Sequence, residues 1–402
     1  MNLRTLFLTA PLAVVLACGG STSTGTGSDA LNAATPSFAT LSLDQVATDT
    51  APPTAALVAD TGSTQMMGPG GFGCHPHLFM REREVVERVN RHIYKVLRKV
   101  ETLIASNPQI DTDKSKTWTK TERGVDFSFT IRLEGVANTY SWELDAGPTG
   151  TTPVPVMTGY IDRSQATGKH DGEGLMTVDF ALLHAAFPDV KVAHGKIELQ
   201  FKVSAAARTI AVKATDVAWD LDPGHFDGGV IPSGLSQPRS GEYVYHREPG
   251  KGGSLKIQDQ MVFLCSMDSK TANPDLVPTD AQMVSRWYRG TDGTIHGRSD
   301  GLITGGQLTA SQVGRIVGVT CHDASAEQHM PTEGYWLMKA ESATGGTLVG
   351  FSSMSLLDTS ATPCDPAYGA VPNLIDSQQD FKLWPESFYE IPPAPYPFLP
   401  KT

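Results

Sequence analysis

The sequence predicts a mainly β protein of the α+β type, built as one large curved antiparallel meander or half-barrel packed against a single long N-terminal helix. Three observations carry this expectation. Val125, Phe127, Phe129, Ile131 and Leu133 alternate without a fault against Asp126, Ser128, Thr130, Arg132 and Glu134, the period-two pattern of a strand with one buried and one wet face. Val85, Val89, Ile93, Val96, Val100 and Leu103 step by threes and fours, which draws one apolar stripe along a helix. The chain also holds 39 glycines and 27 prolines with 8% aromatic residues, a composition that suits many turns between short strands.

The helix is expected from about Leu78 to Ser106. Arg81, Glu84, Glu87, Arg88, Arg91, Lys95 and Arg98 cover its other faces, and Glu84–Arg88 and Glu87–Arg91 have the favoured i,i+4 order. Asn107-Pro108 ends it, because the residue before proline avoids helical angles. The stripe runs for under four heptads without a regular leucine pattern, so packing on the protein's own sheet is expected rather than a coiled coil.

Further strands follow from the same alternation: Tyr140, Trp142, Leu144; Ile197, Leu199, Phe201, Val203; and Ile210, Val212, Ala214. Met176, Val178 and Phe180 form another, running into a short helix through His184. Weaker strands are expected at Glu242–His246, Leu255–Phe263, Arg286–Arg289, Thr294–Arg298, Arg315–Thr320 and Tyr335–Ala340, with Asp292-Gly293 as a tight turn. Long loops are expected at Gly147–Pro155 and Pro223–Gly241. A sheet of this many strands rarely stays flat, which is the reason to expect curvature. No repeat of propeller or solenoid period is visible.

Ahead of this domain, one cation (Arg4) precedes the apolar run Leu6–Leu16, too short to span a bilayer and therefore read as an export signal. Val15-Leu16-Ala17-Cys18 resembles the lipobox of bacterial lipoproteins. The resemblance implies cleavage before Cys18, which then carries the acyl chains, palmitate among them, in a durable anchor. Gly19 stands where an aspartate favours inner-membrane retention in Gram-negative lipoproteins, so the outer membrane is the expected site. The domain expectations are a signal at 1–17, lipidated Cys18 with a flexible linker over 18–72, the helix and β domain over 73–370, and a Pro-rich tail over 371–402. From Gly19 to about Gly71 the composition is Ser, Thr, Gly, Ala and Pro, which reads as a polar spacer holding the domain off the membrane.

Setting Cys18 aside leaves Cys74, Cys265, Cys321 and Cys364, an even number that suits disulfides in an oxidising compartment. Three pairings are open. Proximity in sequence favours Cys321 with Cys364, leaving Cys74 with Cys265. The net charge of −11, with no basic block in the body of the chain, argues against nucleic acid as a partner.

In plan, the chain is similar to outer-membrane lipoprotein carriers and receptors, whose concave sheets hold acyl chains. Arg286-Trp287, Gly297-Arg298-Ser299-Asp300 and Val319-Thr320-Cys321-His322-Asp323 resemble a pattern in myxobacterial lipoproteins without assigned activity. Those proteins have tryptophan where this chain has His322.

Gly297-Arg298-Ser299-Asp300-Gly301 matches the nucleophile-elbow pattern, but Leu302–Gly306 does not read as the helix an elbow needs, and a glycine-rich hairpin is expected instead. Gly68–Gly73 satisfies the spacing of a dinucleotide-binding loop without a strand before it. Asp111, Asp113, Ser115, Thr117, Thr119 and Glu122 fall on EF-hand positions, yet Lys116 occupies the glycine position, so a solvated loop is expected. His75 and His77 beside Cys74, and Asp220, Asp222, His225 and Asp227, lack a spacing that fixes four ligands on one metal. No metal, cofactor or catalytic residue is therefore assigned.

Three functions remain. The first is a lipid-anchored envelope protein acting as a non-catalytic binding or interaction module for an apolar small ligand or an envelope protein. The second is an extracytoplasmic hydrolase of envelope or extracellular polymers, with Ser299 served by His296 or His322. The third is a structural envelope spacer.

Overall fold

The computed structural model describes residues 27–43, 78–186, 194–218, 238–248, 252–261, 279–289, 295–304, 313–324 and 332–342. Cys18, Cys74, Cys265, Cys364, the His75/His77 and Asp220–Asp227 clusters, the Asp292-Gly293 turn and the Pro-rich tail lie outside them. Two short helices open the described chain, α1 (Gly27–Ala33) and α2 (Phe38–Leu41), followed by the long helix α3 (Leu78–Ile104). The first strands are β1 (Ile110–Asp111), β2 (Ser115–Glu122), β3 (Val125–Leu133), β4 (Thr139–Pro148), β5 (Val154–Asp162) and β6 (Gly172–Asp179). The short helix α4 (Phe180–Ala186) precedes β7 (Lys196–Val203), β8 (Arg208–Val217), β9 (Arg239–Glu248) and β10 (Gly252–Met261). Last come β11 (Thr279–Arg289), β12 (Ile295–Thr304), β13 (Val313–Ala324) and β14 (Thr332–Ser342).

All fourteen strands form one sheet in sequence order, every neighbouring pair antiparallel. The fold class expected from the sequence is the one observed. Curvature follows from where α3 lies. The helix comes within 8 Å, Cα to Cα, of β2 and also of β11, β12 and β13. Laid flat, β2 and β12 would stand about 48 Å apart at normal strand spacing. A helix of 27 residues is only about 40 Å long. The sheet therefore curls round the helix. Among the described residues, no helix is long and apolar enough to cross a membrane.

The inner face can be followed through the register. One row runs Ile131–Trp142–Gly159–Met176–Leu199–Val212–Tyr243–Ile257 across β3 to β10. Val89, Ile93, Val96, Leu97 and Val100 of α3 pack against this face in a single core. Small residues sit beside large ones along it. A Cβ on Gly174 would lie 2.0 Å from the Tyr160 carbonyl oxygen and 2.9 Å from the Phe201 ring. No larger residue fits there without moving a strand.

Three expectations need correction. The segment read as spacer is folded over 27–43: Leu31, Leu41 and Leu43 are at most 1% exposed and belong to the core. Its apolar residues are too few to show periodicity, and they become buried only because the curled sheet offers them a surface. The expected loop around Asp111–Glu122 is the β1–β2 hairpin, with Trp118 stacked on Phe129 at 5.9 Å and donating to the Ser106 carbonyl at 3.1 Å. Its threonines and lysines hid a strand whose inner positions are only Lys116 and Trp118. The loop expected over Gly147–Pro155 is shorter, since β4 runs to Pro148 and β5 starts at Val154.

Candidate functional sites

The strands have two rims. One rim holds the ends at Ser115, Leu133, Thr139, Asp162, Gly172, Val203 and Arg208; the other carries α4. Residues 27–43 form a strap along the first rim. Lys116 Nζ donates to Asn32 Oδ1 at 3.2 Å, and the His170 backbone N–H donates to the Ala33 carbonyl at 3.1 Å. His170 Nδ1 lies 2.8 Å from the Thr35 carbonyl oxygen, which can only accept, so Nδ1 carries the proton. Arg208 donates to the Ser42 carbonyl at 3.0 Å. Buried Asn90 of α3 completes the attachment: Oδ1 accepts from the Leu43 N–H at 2.7 Å and the amide donates back to the Leu43 carbonyl. Successive strap residues thus meet β2, the β5–β6 loop, β8 and α3.

His170 holds a left-handed backbone, φ +64, between Arg163 and Asp171. Arg163 braces this loop through the carbonyls of Asp171 (3.1 Å) and Gly168 (2.7 Å), and Thr167 donates to the Asp171 carboxylate at 2.9 Å. Burial lowers the His170 pKa from its ordinary value; the Thr35 hydrogen bond and Asp171 oppose this, and Lys169 and Arg163 reinforce it. At the far end of the helix, Lys99 pairs with Glu122 at 3.1 Å and sits 4.5 Å over the Phe127 ring. Lys99 and then Lys120 hold the Glu122 carboxyl below its usual range.

A second polar group lies inside the sheet. Asp259 is 4% exposed on the inner face of β10, and the Tyr243 hydroxyl donates to its Oδ2 at 2.8 Å. Gly241, the register partner of Asp259, leaves the room: a Cβ there would stand 2.7 Å from both Asp259 Oδ1 and Tyr243 Oη. Buried Arg239 lies two residues away on β9. The sequence did carry a signal for this group. Leu255, Ile257 and Asp259 alternate, so a carboxylate occupies a core position.

The serine motif lies wholly within β12. Gly297–Gly301 pairs residue by residue with both neighbouring strands, which rules out a strand-to-helix elbow and puts the motif in one arm of a hairpin, as expected. Register also places the motif's candidate partners. Ser299 is opposite Thr320, and His322 is opposite Gly297, so His322 stands two residues along β13 from the partner of Ser299. His296 lies three residues from Ser299 on the same strand. A bulge between Cys321 and His322 leaves Gly334 out of the pairing and sets Glu333 opposite His322. Sequence reasoning missed Glu333, because only the bulge sets it opposite His322. The three stretches similar to the myxobacterial pattern prove to be neighbours. Arg286 pairs with Arg298 and Arg298 with Cys321, while Trp287 faces Gly297.

Of the EF-hand positions, Asp111 lies 3.6 Å from Lys116, and Ser115–Glu122 alternate along β2 instead of wrapping a centre. Among the described residues no group of three or more His, Cys, Asp or Glu could hold a metal ion. Comparison with family models, with curated proteins and with solved structures returned no match.

Proposed function

We propose that this is a lipid-anchored protein of the outer membrane whose folded domain works as a non-catalytic interaction module for another envelope component. The observation that carries the reading is the occupied interior. Between α3 and β2–β10 stand the chain's own side chains, from Leu31 and Leu43 of the strap to Phe129, Trp142 and Tyr245 of the sheet. An acyl ligand would have to displace them, so the outer face and the rims are the surfaces left for a partner. The outer face of β6–β9 is charged and cross-strand paired, with Lys202–Glu173 at 3.0 Å and Lys213–Glu242 at 3.5 Å. That chemistry does not suit an apolar ligand.

The reading is tested on protein purified from its native host. Labelling with an alkyne-palmitate should mark the protein and disappear in Cys18→Ala, which should also leave the outer-membrane fraction. Solvent extraction followed by mass spectrometry should find no acyl ligand beyond the anchor. A stoichiometric bound lipid would overturn the occupied-interior argument and return the carrier function.

A second reading has its own observation. Ser299, His322 and Glu333 occupy nearby register positions on three adjacent strands, and these are the residue types of a nucleophile, a base and its orienting acid. An extracytoplasmic hydrolase built this way should react with a fluorophosphonate probe, and Ser299→Ala should abolish the adduct. An unlabelled wild-type protein sinks this reading.

A further inference from the structure

We propose that the strap rim of the curled sheet rests on the headgroup surface of the membrane into which the Cys18 acyl chains insert. The proposal depends on the lipidation of Cys18 put forward above and adds to it an orientation and a contact face. It follows from the strap. Had the chain from Gly19 to Gly71 been one spacer, the domain would have roamed far from the lipid. Instead, the chain is already helical over Gly27–Ala33 and is held to the rim by Lys116, His170, Arg208 and Asn90. The path from anchor to domain is therefore residues 19–26, eight residues in all. Residues 44–77 run from one point of the domain to another and contribute no reach.

Eight intervening residues give nine Cα steps, which span at most about 32 Å when fully extended. The step from Gly27 to Asn32 along α1 adds only about 8 Å. The opposite rim, with α4, stands one strand length away, about 30 Å. To bring that rim to the membrane, the tether would have to run straight along the sheet with no slack. The strap rim meets the membrane with the tether relaxed. Residues 19–26 are glycine, serine and threonine without a charge, so nothing in the tether repels a headgroup layer.

The rim's own surface fits such a layer. Val136 in the β3–β4 loop is 48% exposed, and Ala205 and Ala206 at the β7–β8 turn are exposed. Exposed Lys114 and Lys169 lie on the same rim, in the β1–β2 turn and the β5–β6 loop. Exposed Asp29 and Asp113 lie on this rim too, so the contact rests on the short apolar tips and the long lysine stems rather than on net positive charge, and such tips sit well at the boundary of headgroups and glycerol. Val154 and Leu182, the exposed apolar residues of the opposite rim, supply the internal control.

The test uses full-length lipidated protein reconstituted in vesicles of phosphatidylethanolamine and phosphatidylglycerol. A dye is placed through a genetically encoded amino acid at Val136 or Ala205, or at Leu182, and headgroup-attached quencher is titrated in. Quenching at the strap rim should exceed that at Leu182 several-fold. An insertion of about 40 Gly/Ser residues between Thr24 and Gly25 adds a flexible coil longer than the domain's own height and should erase the difference. The same insertion between Thr48 and Asp49 should leave it intact. Equal quenching at both rims, or equal effects of the two insertions, overturns the orientation while the palmitate label upholds the anchor. A protein carrying no label at Cys18 overturns both.

Discussion

The inner face of the sheet is built in two ways. From β3 to β10 it carries Phe129, Trp142, Met176, Leu199, Phe201, Tyr243 and Tyr245, all at most 4% exposed. The rows that continue through β11–β13 mix sizes: Ser285–Ser299–Thr320, Met283–Gly301–Gly318 and Trp287–Gly297–His322. The helix α3 comes within 8 Å, Cα to Cα, of β2 and of β11, β12 and β13, so one helix serves both stretches of the sheet. The first half also explains the unfaulted alternation, because a residue that must fill volume has to be large and apolar at every inner position. In the second half the rows mix large and small residues, from Gly301–Gly318 to Ile303–Ile316, and no single hydropathy pattern runs along them.

The comparison is broken most severely by emptying the filled half. Phe129→Ala should cost about 3–5 kcal/mol, the usual loss for a fully buried phenylalanine, read from chemical denaturation. Adding bulk to the Met283–Gly301–Gly318 row probes the second stretch. Gly301→Leu should cost about 1–3 kcal/mol where that row is closely packed, and a neutral result would show that it is not. Where the filled half ends, Tyr243→Phe removes the donor to buried Asp259 and should cost about 1–2 kcal/mol. Asp259→Asn combined with Tyr243→Phe should cost less than the sum of the single changes, because the two residues form one pair.

The smallest effect is a pH dependence at the strap. Burial lowers the His170 pKa, so in the window just below about 6.5 the unfolded chain binds more protons than the folded one. Stability rises with pH through that window and is complete above it. Acidification from about pH 7.5 to pH 5 should therefore loosen the strap first, seen as faster amide exchange across 27–43 than in β3 or β4. His170→Gln should flatten that response. Unchanged exchange in the wild-type protein would show that His170 does not gate the docking.

The period-two rows, the long helix and its end at Asn107-Pro108 were legible in the sequence because each is a local property. A strand must alternate, and a helix must repeat by threes and fours, wherever it lies in the fold. Tertiary structure decided the rest. Leu31, Leu41 and Leu43 show no period, and only the rim they meet turns their segment from spacer into strap. Lys116 is a charged residue at a core position, which composition reads as surface. Glu333 stands opposite His322 only through a bulge at Gly334. These outcomes depend on which strands become neighbours, and strand neighbours are set by the whole curled sheet rather than by any one stretch of it.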